Sequence, residues 1–242
     1  MNRPSTHTEP SGGRAKLVLF DIDGTLLHSG GAGRQAVAEA LEMVYGRPVV
    51  LDGFRMNGKT DLQIIHELLA AAGLSEAEVQ AGLPRLMEVY PPHLRRLIGG
   101  YPVRPCPGVS ALLAALAGVP EAEMALLTGN MEGGARVKLE AAGLHGFFRW
   151  GVFGADARER SALPPVAVER AYDRTGRRYQ GKEIVIIGDT PADILCGKGL
   201  GVRSIAVGTG PFTCAKLAAW EPDACFADLT PTEAVLQAIL AP

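Results

Sequence analysis

The stretch KLVLFDIDGTL, Lys16 to Leu26, decides how the rest of the chain is read. Five mostly apolar residues end abruptly in Asp21 and Asp23. A short, near-continuous apolar run suits a strand of a parallel sheet covered on both faces. In such sheets ligands bind beyond the carboxyl ends of the strands. Side chains two apart on extended backbone share one side, so the two carboxylates are neighbours. Crowded carboxylates require a cation, a shared proton or strong donors. A hard divalent cation such as Mg²⁺ takes oxygen ligands and bridges to phosphate. Gly24 then permits a turn or a close backbone approach. An ordinary Asp-Gly turn would account for Asp23 and Gly24, but it leaves Asp21 unexplained.

Similar strand runs recur at 124–128 (MALLT), 184–188 (IVIIG) and 202–207 (VRSIAV), with a weaker candidate at 148–154. The spacing of Val109, Leu112, Leu113 and Leu116 predicts a helix. Helices are also predicted over 133–142 and over 164–175, the latter opened by Pro164 and Pro165. Strands alternating with helices from 105 to 210 imply right-handed βαβ units in an open parallel sheet. Two more strand tips carry polar groups. Asp189 follows IVIIG directly, and Asp193 four residues later is readable as a helix cap, as a supporting group of the site, or as both. Thr128-Gly129-Asn130 offers a hydroxyl and turn amides of the kind that hold phosphate oxygens, although the same triplet also makes ordinary turns.

From about Gly33 to Ile98 the pattern is helical without a strand. Ala36, Val37, Ala40, Leu41 and Val44 form one stripe. A second helix starts at Thr60-Asp-Leu-Gln63 and stops near Gly73, and a third starts at Ser75-Glu-Ala-Glu78 and runs toward Ile98. Pro84, Pro91 and Pro92 predict interruptions in the third. Gly- and Pro-rich segments at 29–33 and 99–108 mark linkers. The expected organisation is a loose tail at 1–13, a core of 14–30 and 101–242, and a helical domain of 31–100.

The 242 residues are 47% hydrophobic with a formal net charge of −2. That is the composition of a globular domain with a sizeable core. It excludes a general attraction to nucleic acid or to anionic membranes. Cys106, Cys196, Cys214 and Cys225 form no Cys-x-x-Cys or zinc pattern and are read as buried, reduced thiols. With a polar N-terminus and no membrane-length apolar run, a cytoplasmic protein is expected.

Taken together, the three strand tips resemble the haloacid dehalogenase superfamily, in particular its phosphoglycolate phosphatase-like branch. DIDGT at 21–25 resembles the first motif of that family, Thr128 the hydroxyl of the second and GDTPAD at 188–193 the fourth. The helical insert resembles the mobile cap. The likeness spans about residues 16–209. It implies an α/β fold, with a parallel-sheet, Rossmann-like core and a small inserted all-helical cap. It also implies a Mg²⁺-dependent phosphatase acting on a phosphate monoester of a small metabolite, with neither nucleic acid nor membrane as partner. By resemblance, Asp21 attacks phosphorus to form an aspartyl-phosphate, and Asp23 protonates the leaving oxygen and then activates water. Asp21, the Asp23 backbone carbonyl and Asp189 hold the metal. Gly24, Thr25, Thr128, Gly129 and Asn130 surround the phosphate.

One motif departs from the family pattern. The third is normally a lysine, and here the stretch is Arg158-Glu-Arg-Ser-Ala-Leu-Pro-Pro165. Counting back from the following helix puts Arg160 in that slot, with Arg158 the alternate. An arginine keeps the charge but changes the geometry. Lys182, beside the next strand, reads as a solvated charge. In the insert, Lys59 is a candidate substrate contact, Arg55 a weaker one, and His28 and His66 read as structural. Lys59 also leaves open a relation to phosphonoacetaldehyde hydrolases, which use a cap lysine as a Schiff base; those enzymes lack an acid at the position of Asp23. A phosphomutase and a catalytically silent scaffold are also compatible with the pattern, and monomer or homodimer is left open.

Overall fold

A computed structural model describes residues 15–242. The tail expected at 1–13 lies outside the described residues. Strand β1 (Lys16–Phe20) leads to a two-residue strand, β2 (Leu27–His28), and then to helices α1 (Ala32–Tyr45), α2 (Asp61–Ala71) and α3 (Glu76–Ile98). The chain returns through β3 (Arg104–Pro105). It then alternates as α4 (Val109–Ala117), β4 (Ala122–Leu127), α5 (Glu132–Ala141), β5 (Gly151–Val152), α6 (Leu163–Thr175) and β6 (Ile184–Gly188). The last elements are α7 (Pro191–Cys196), β7 (Arg203–Val207), α8 (Cys214–Leu217), β8 (Ala224–Phe226) and α9 (Thr232–Leu240). Six strands form a parallel sheet in the order β5-β4-β1-β6-β7-β8. β2 and β3 pair antiparallel, Leu27 with Pro105 and His28 with Arg104.

The two-residue period of a strand sorts the core into two layers. On one face Val18, Phe20, Leu126, Val185 and Ile187 pack with Leu112 and Leu113 of α4 and with Val235 and Ile239 of α9. On the other, Leu17, Leu19, Leu127, Ile184 and Ile186 pack with Leu163, Ala167 and Ala171 of α6. Each such aliphatic side chain removed from water contributes about 1.5–3 kcal/mol. Both faces are covered, so the strands read as apolar runs rather than as alternating ones.

The helices between β2 and β3 bury a separate cluster, including Ala36, Leu41, Ile65, Leu69, Leu86 and Leu94. Met131 and Val137 from the sheet side join it. α3 runs unbroken through Pro84, Pro91 and Pro92, against the predicted interruptions. Pro84 and Pro92 lie on the exposed side, where water can take the carbonyls that lose their intrahelical donor. The Ser75–Glu78 capping box forms as expected.

Other departures are local. The 148–154 run yields only the two residues of β5, and the β2–β3 ribbon and β8 carry no periodic signal of their own length. The cysteine reading is corrected in part. Cys214 and Cys225 are disulfide-bonded, with Cα atoms 5.9 Å apart, whereas Cys106 and Cys196 are free and buried. Cys214 opens α8 and Cys225 lies on β8, so the short connection from β7 to β8 brings together two cysteines that no sequence motif links. Among the described residues no helix is long and apolar enough to cross a membrane.

Candidate active site

Sheet order builds the site. β1 lies between β4 and β6, so Asp21, Thr128 and Asp189, each directly following its strand, emerge at adjacent tips. The Asp21 N–H donates to Ile187 O at 3.0 Å and the Thr128 N–H to Val152 O at 3.0 Å, which extends the ladders to the tips. The tips open into a cleft of about 530 Å³ bordered by Asp21, Asp23, Gly129, Asn130, Arg160 and Asp189.

Asp21, Asp189 and Asp193 present carboxylate oxygens within 4.8 Å of one another, all buried. Asp193 is already engaged. Its Oδ2 accepts from the Thr190 N–H at 2.9 Å and the Thr190 hydroxyl at 2.6 Å, and its Oδ1 accepts from Arg160. Asp193 is therefore both the cap of α7 and a partner within the site. Asp189 Oδ1 accepts from the Thr25 hydroxyl at 3.1 Å, so Thr25, fully buried, orients a carboxylate. Two glycines crowd the same group. A Cβ on Gly24, at φ 85°, would stand 2.5 Å from Asp189 Oδ2, and one on Gly210 would stand 1.7 Å away. Burial raises the Asp21 carboxyl to about 6. Arg160 draws it down, while Asp193 and Asp23 push it up. Burial, then Asp193 and Asp21, push Asp189 well above the usual carboxylate range. Two buried carboxyls that resist ionising together, Asp21 and Asp189, each with an oxygen to spare, fit a divalent cation. Asp21 and Asp189 would hold it.

Arg160 stands in a short turn ahead of α6 and is buried. Its Nη2 donates to Asp21 Oδ1 at 3.0 Å, to Asp193 Oδ1, and more weakly to Leu127 O at 3.4 Å. Arg158 is exposed and faces Glu76 at 3.7 Å. Of the two arginines, Arg160 and not Arg158 is the one brought to Asp21. Arg160 Nε is buried without a hydrogen-bond partner, as expected where a guanidinium with five donors takes a place that suits an ammonium.

Asp23 has a different shell. Its Oδ2 accepts from Lys138 Nζ at 2.6 Å and Asn130 Nδ2 at 2.8 Å, and its Oδ1 accepts from Ser29 Oγ at 3.3 Å. Burial raises this carboxyl, but the Lys138 charge and these hydrogen bonds outweigh burial and hold it below its ordinary value. Asn130 Nδ2 also donates to Thr128 Oγ1 at 2.8 Å. Sequence reasoning missed Lys138. The signal for it is a lysine on the buried stripe of α5, beside Gly134, Ala135 and Val137.

The helical insert seats on the second strand tip. The Asp61 N–H donates to Gly129 O at 2.6 Å, and Asp61 Oδ2 accepts from the Met131 N–H at 2.7 Å. A Cβ on Gly129 would lie 2.1 Å from Lys59 O, and one on Gly154 would lie 1.8 Å from Gly129 O, so the approach needs both glycines. Thr60 Oγ1 caps α2 at Gln63 N, 3.1 Å, and donates to Arg158 O. Burial pushes the Asp61 carboxyl up to about 6, against Lys138 and the Met131 amide. Lys59 borders the cleft, but its ammonium pairs with Glu67 and lies 4.7 Å from the Phe54 ring centre. Arg55 is exposed and does not border the cleft, whereas His28 does. His66 is buried against Glu76 at 3.0 Å. Lys182 pairs at the surface with Asp223.

Comparison with known proteins finds one matching family and several similar chains. The description "haloacid dehalogenase-like hydrolase" matches residues 15–201. The phosphoglycolate phosphatase of Rhodospirillum rubrum is 30% identical over 202 residues, which cover 81% of this chain and 80% of that one. Phosphoglycolate phosphatase 1 of Pseudomonas aeruginosa is 30% identical over 203 residues, 81% of this chain and 70% of that one. A hydrolase from Pseudomonas syringae shares the fold, with a TM-score of 0.68 at 20% identity over 93% of this chain and 98% of that one.

Proposed function

The chain belongs to the haloacid dehalogenase-like hydrolases and is a phosphatase of phosphate monoesters, and from that premise we propose that it hydrolyses a small phosphorylated acid of the phosphoglycolate kind, with Mg²⁺ as its cation. The observation that carries the reading is Asp21. It is buried at the tip of β1, faces Arg160 at 3.0 Å, and has Asp189 and Thr128 on the flanking tips and Asp23 two residues on.

In this reading an Asp21 carboxylate oxygen attacks phosphorus and the ester oxygen departs with a proton from Asp23, whose protonated form is the minor one in the free protein at neutral pH. Asp23 then takes a proton from water, and the hydroxide attacks the aspartyl-phosphate, releasing phosphate and restoring Asp21. Asp21, Asp189 and the Asp23 backbone carbonyl would hold the cation, which would supply neutralisation of phosphate charge. Arg160 keeps Asp21 ionised and oriented. Thr128 and the amides of Gly129 and Asn130 receive phosphate oxygens, and Gly24 lets the backbone approach. Residues 31–100 act as a cap that excludes water when seated. Lys59 serves substrate only by exchanging Glu67. That pairing weighs against an imine-forming lysine, and the presence of Asp23 favours ester hydrolysis. The location is read as cytoplasmic. The Cys214–Cys225 bridge weighs against that, because such bonds are rare in reducing compartments, and thiol titration of freshly isolated protein shows whether the bridge is formed.

A panel of phosphorylated metabolites assayed with Mg²⁺ tests the reading, with Asp21→Asn as control. Metal-dependent release of phosphate, fastest on 2-phosphoglycolate and lost in the variant, is the expected result. Retained turnover in Asp21→Asn sinks the mechanism, and a clear preference for phosphosugars moves the substrate.

A further inference from the structure

One buried cation of the cleft has no part in that reaction. Lys138 is 5% exposed on α5, with Nζ 2.6 Å from Asp23 Oδ2 and 2.6 Å from Asn130 Oδ1. Desolvating an ammonium costs several kcal/mol unless it is paired and hydrogen-bonded. The fold also makes room for it. A Cβ on Gly33 would stand 2.9 Å from Lys138 Cε and 3.0 Å from Nζ.

The donor inventory fixes the orientation of this cluster. An ammonium only donates, so the Asn130 carbonyl oxygen must face Lys138. The amide nitrogen of Asn130 then points to Asp23 and to Thr128 Oγ1, at 2.8 Å each. Asp23 Oδ2 is thereby held by two strong donors, one of them charged. Oδ1 has only the 3.3 Å contact from Ser29. Asp23 Oδ1 is the less engaged oxygen, on a side chain that is 41% exposed beside the cleft.

We propose that Lys138 is a positioning residue for Asp23: with Asn130 it pins Oδ2, so that Oδ1 is the oxygen that exchanges a proton with the leaving group and with water. The same ammonium, through the Asn130 amide, ties the placement of Asp23 to that of the Thr128 hydroxyl. The inference rests on the acid–base role given to Asp23 above.

Leaving-group dependence separates positioning from general damage. Nitrophenolate departs without a proton, whereas an alkoxide needs one, and kcat/KM reports the step up to ester cleavage. The test compares wild type, Lys138→Met, Asp23→Asn and the double variant with Mg²⁺ on p-nitrophenyl phosphate and on 2-phosphoglycolate. Lys138→Met is expected to lower kcat/KM on the alkyl ester about 10²-fold, as a misplaced catalytic group does, and on the aryl ester by less than about tenfold. The double variant should be no worse than Asp23→Asn alone, because the lysine acts only through that residue. Where Lys138→Met does not fold, Lys138→Gln, which keeps a donor without the charge, should show a smaller loss with the same bias toward the alkyl ester. Equal losses on both esters, no loss on either, or full additivity with Asp23→Asn overturns the inference. If Asp23→Asn itself affects both esters equally, the acid role of Asp23 falls and this inference with it. A wild type inert on both esters instead overturns the phosphatase reading.

Discussion

Arg160 Nη2 stands 3.0 Å from Asp21 Oδ1, and the same nitrogen donates to Asp193. One guanidinium edge therefore separates two carboxylates that would otherwise repel across a buried site. Its two carboxylate partners follow β1 and β6, so the contact also ties the turn before α6 to the tips of those strands.

Arg160→Ala leaves Asp21, Asp189 and Asp193 buried without their cation. Breaking one partner out of a buried ionic group costs about 3–5 kcal/mol, and turnover should fall at least about 10²-fold. Arg160→Lys should recover a large part of both, because it restores the charge and removes the orphaned Nε–H. Urea unfolding and steady-state kinetics check this. A lysine variant no better than alanine would show that the planar fork itself is required.

The raised carboxyls of Asp21, about 6, and Asp189 give the metal a pH signature. A cation competes with protons for these oxygens. Adding Mg²⁺ to chelator-treated protein should raise Tm at pH 8 and do little at pH 5. An equal rise at both values rules out this cluster as the ligand set.

Asp61 supplies the reverse test in the insert. Its carboxyl titrates near 6 when buried, against about 3.9 in an unfolded chain. Between those values the folded state binds more protons than the unfolded one, so stability falls as pH rises through the window. Asp61→Asn should therefore be more stable than wild type at pH 7, by on the order of 1–3 kcal/mol, and equal to it near pH 4. Denaturant unfolding at both pH values measures it. A constant difference across the window would show that burial does not govern the Asp61 carboxyl.

The fold was legible because buried parallel strands write themselves as apolar runs, and β1, β4, β6 and β7 each did so. Their tips located Asp21, Thr128 and Asp189, since a strand delivers its next residue to a known edge. Counting back from α6 favoured Arg160 over Arg158 without deciding between them. Both lie in one polar loop, and only the turn before α6 decides which enters. Lys138 was hidden for a similar reason. A lysine on a helix reads as surface charge until a facing carboxylate 115 residues away is in place. The β2–β3 ribbon depends wholly on contacts remote in sequence, and two-residue strands carry no period; the Cys214–Cys225 bond closes a short loop of sequence separation 11 that matches no spacing motif.

The pairing of Leu27 with Pro105 and of His28 with Arg104 has a mechanical consequence. The outgoing and incoming strands of the helical segment form a double strap rather than two separate tethers. Any displacement of α1–α3 relative to the sheet would therefore load both crossings at once. The strap's inner end is anchored, because the Gly24 N–H donates to Leu27 O at 2.9 Å and the Cys106 N–H to Leu26 O at 2.9 Å. The acid-bearing loop is thereby braced from the sheet side, through hydrogen bonds to which no residue of α1–α3 contributes.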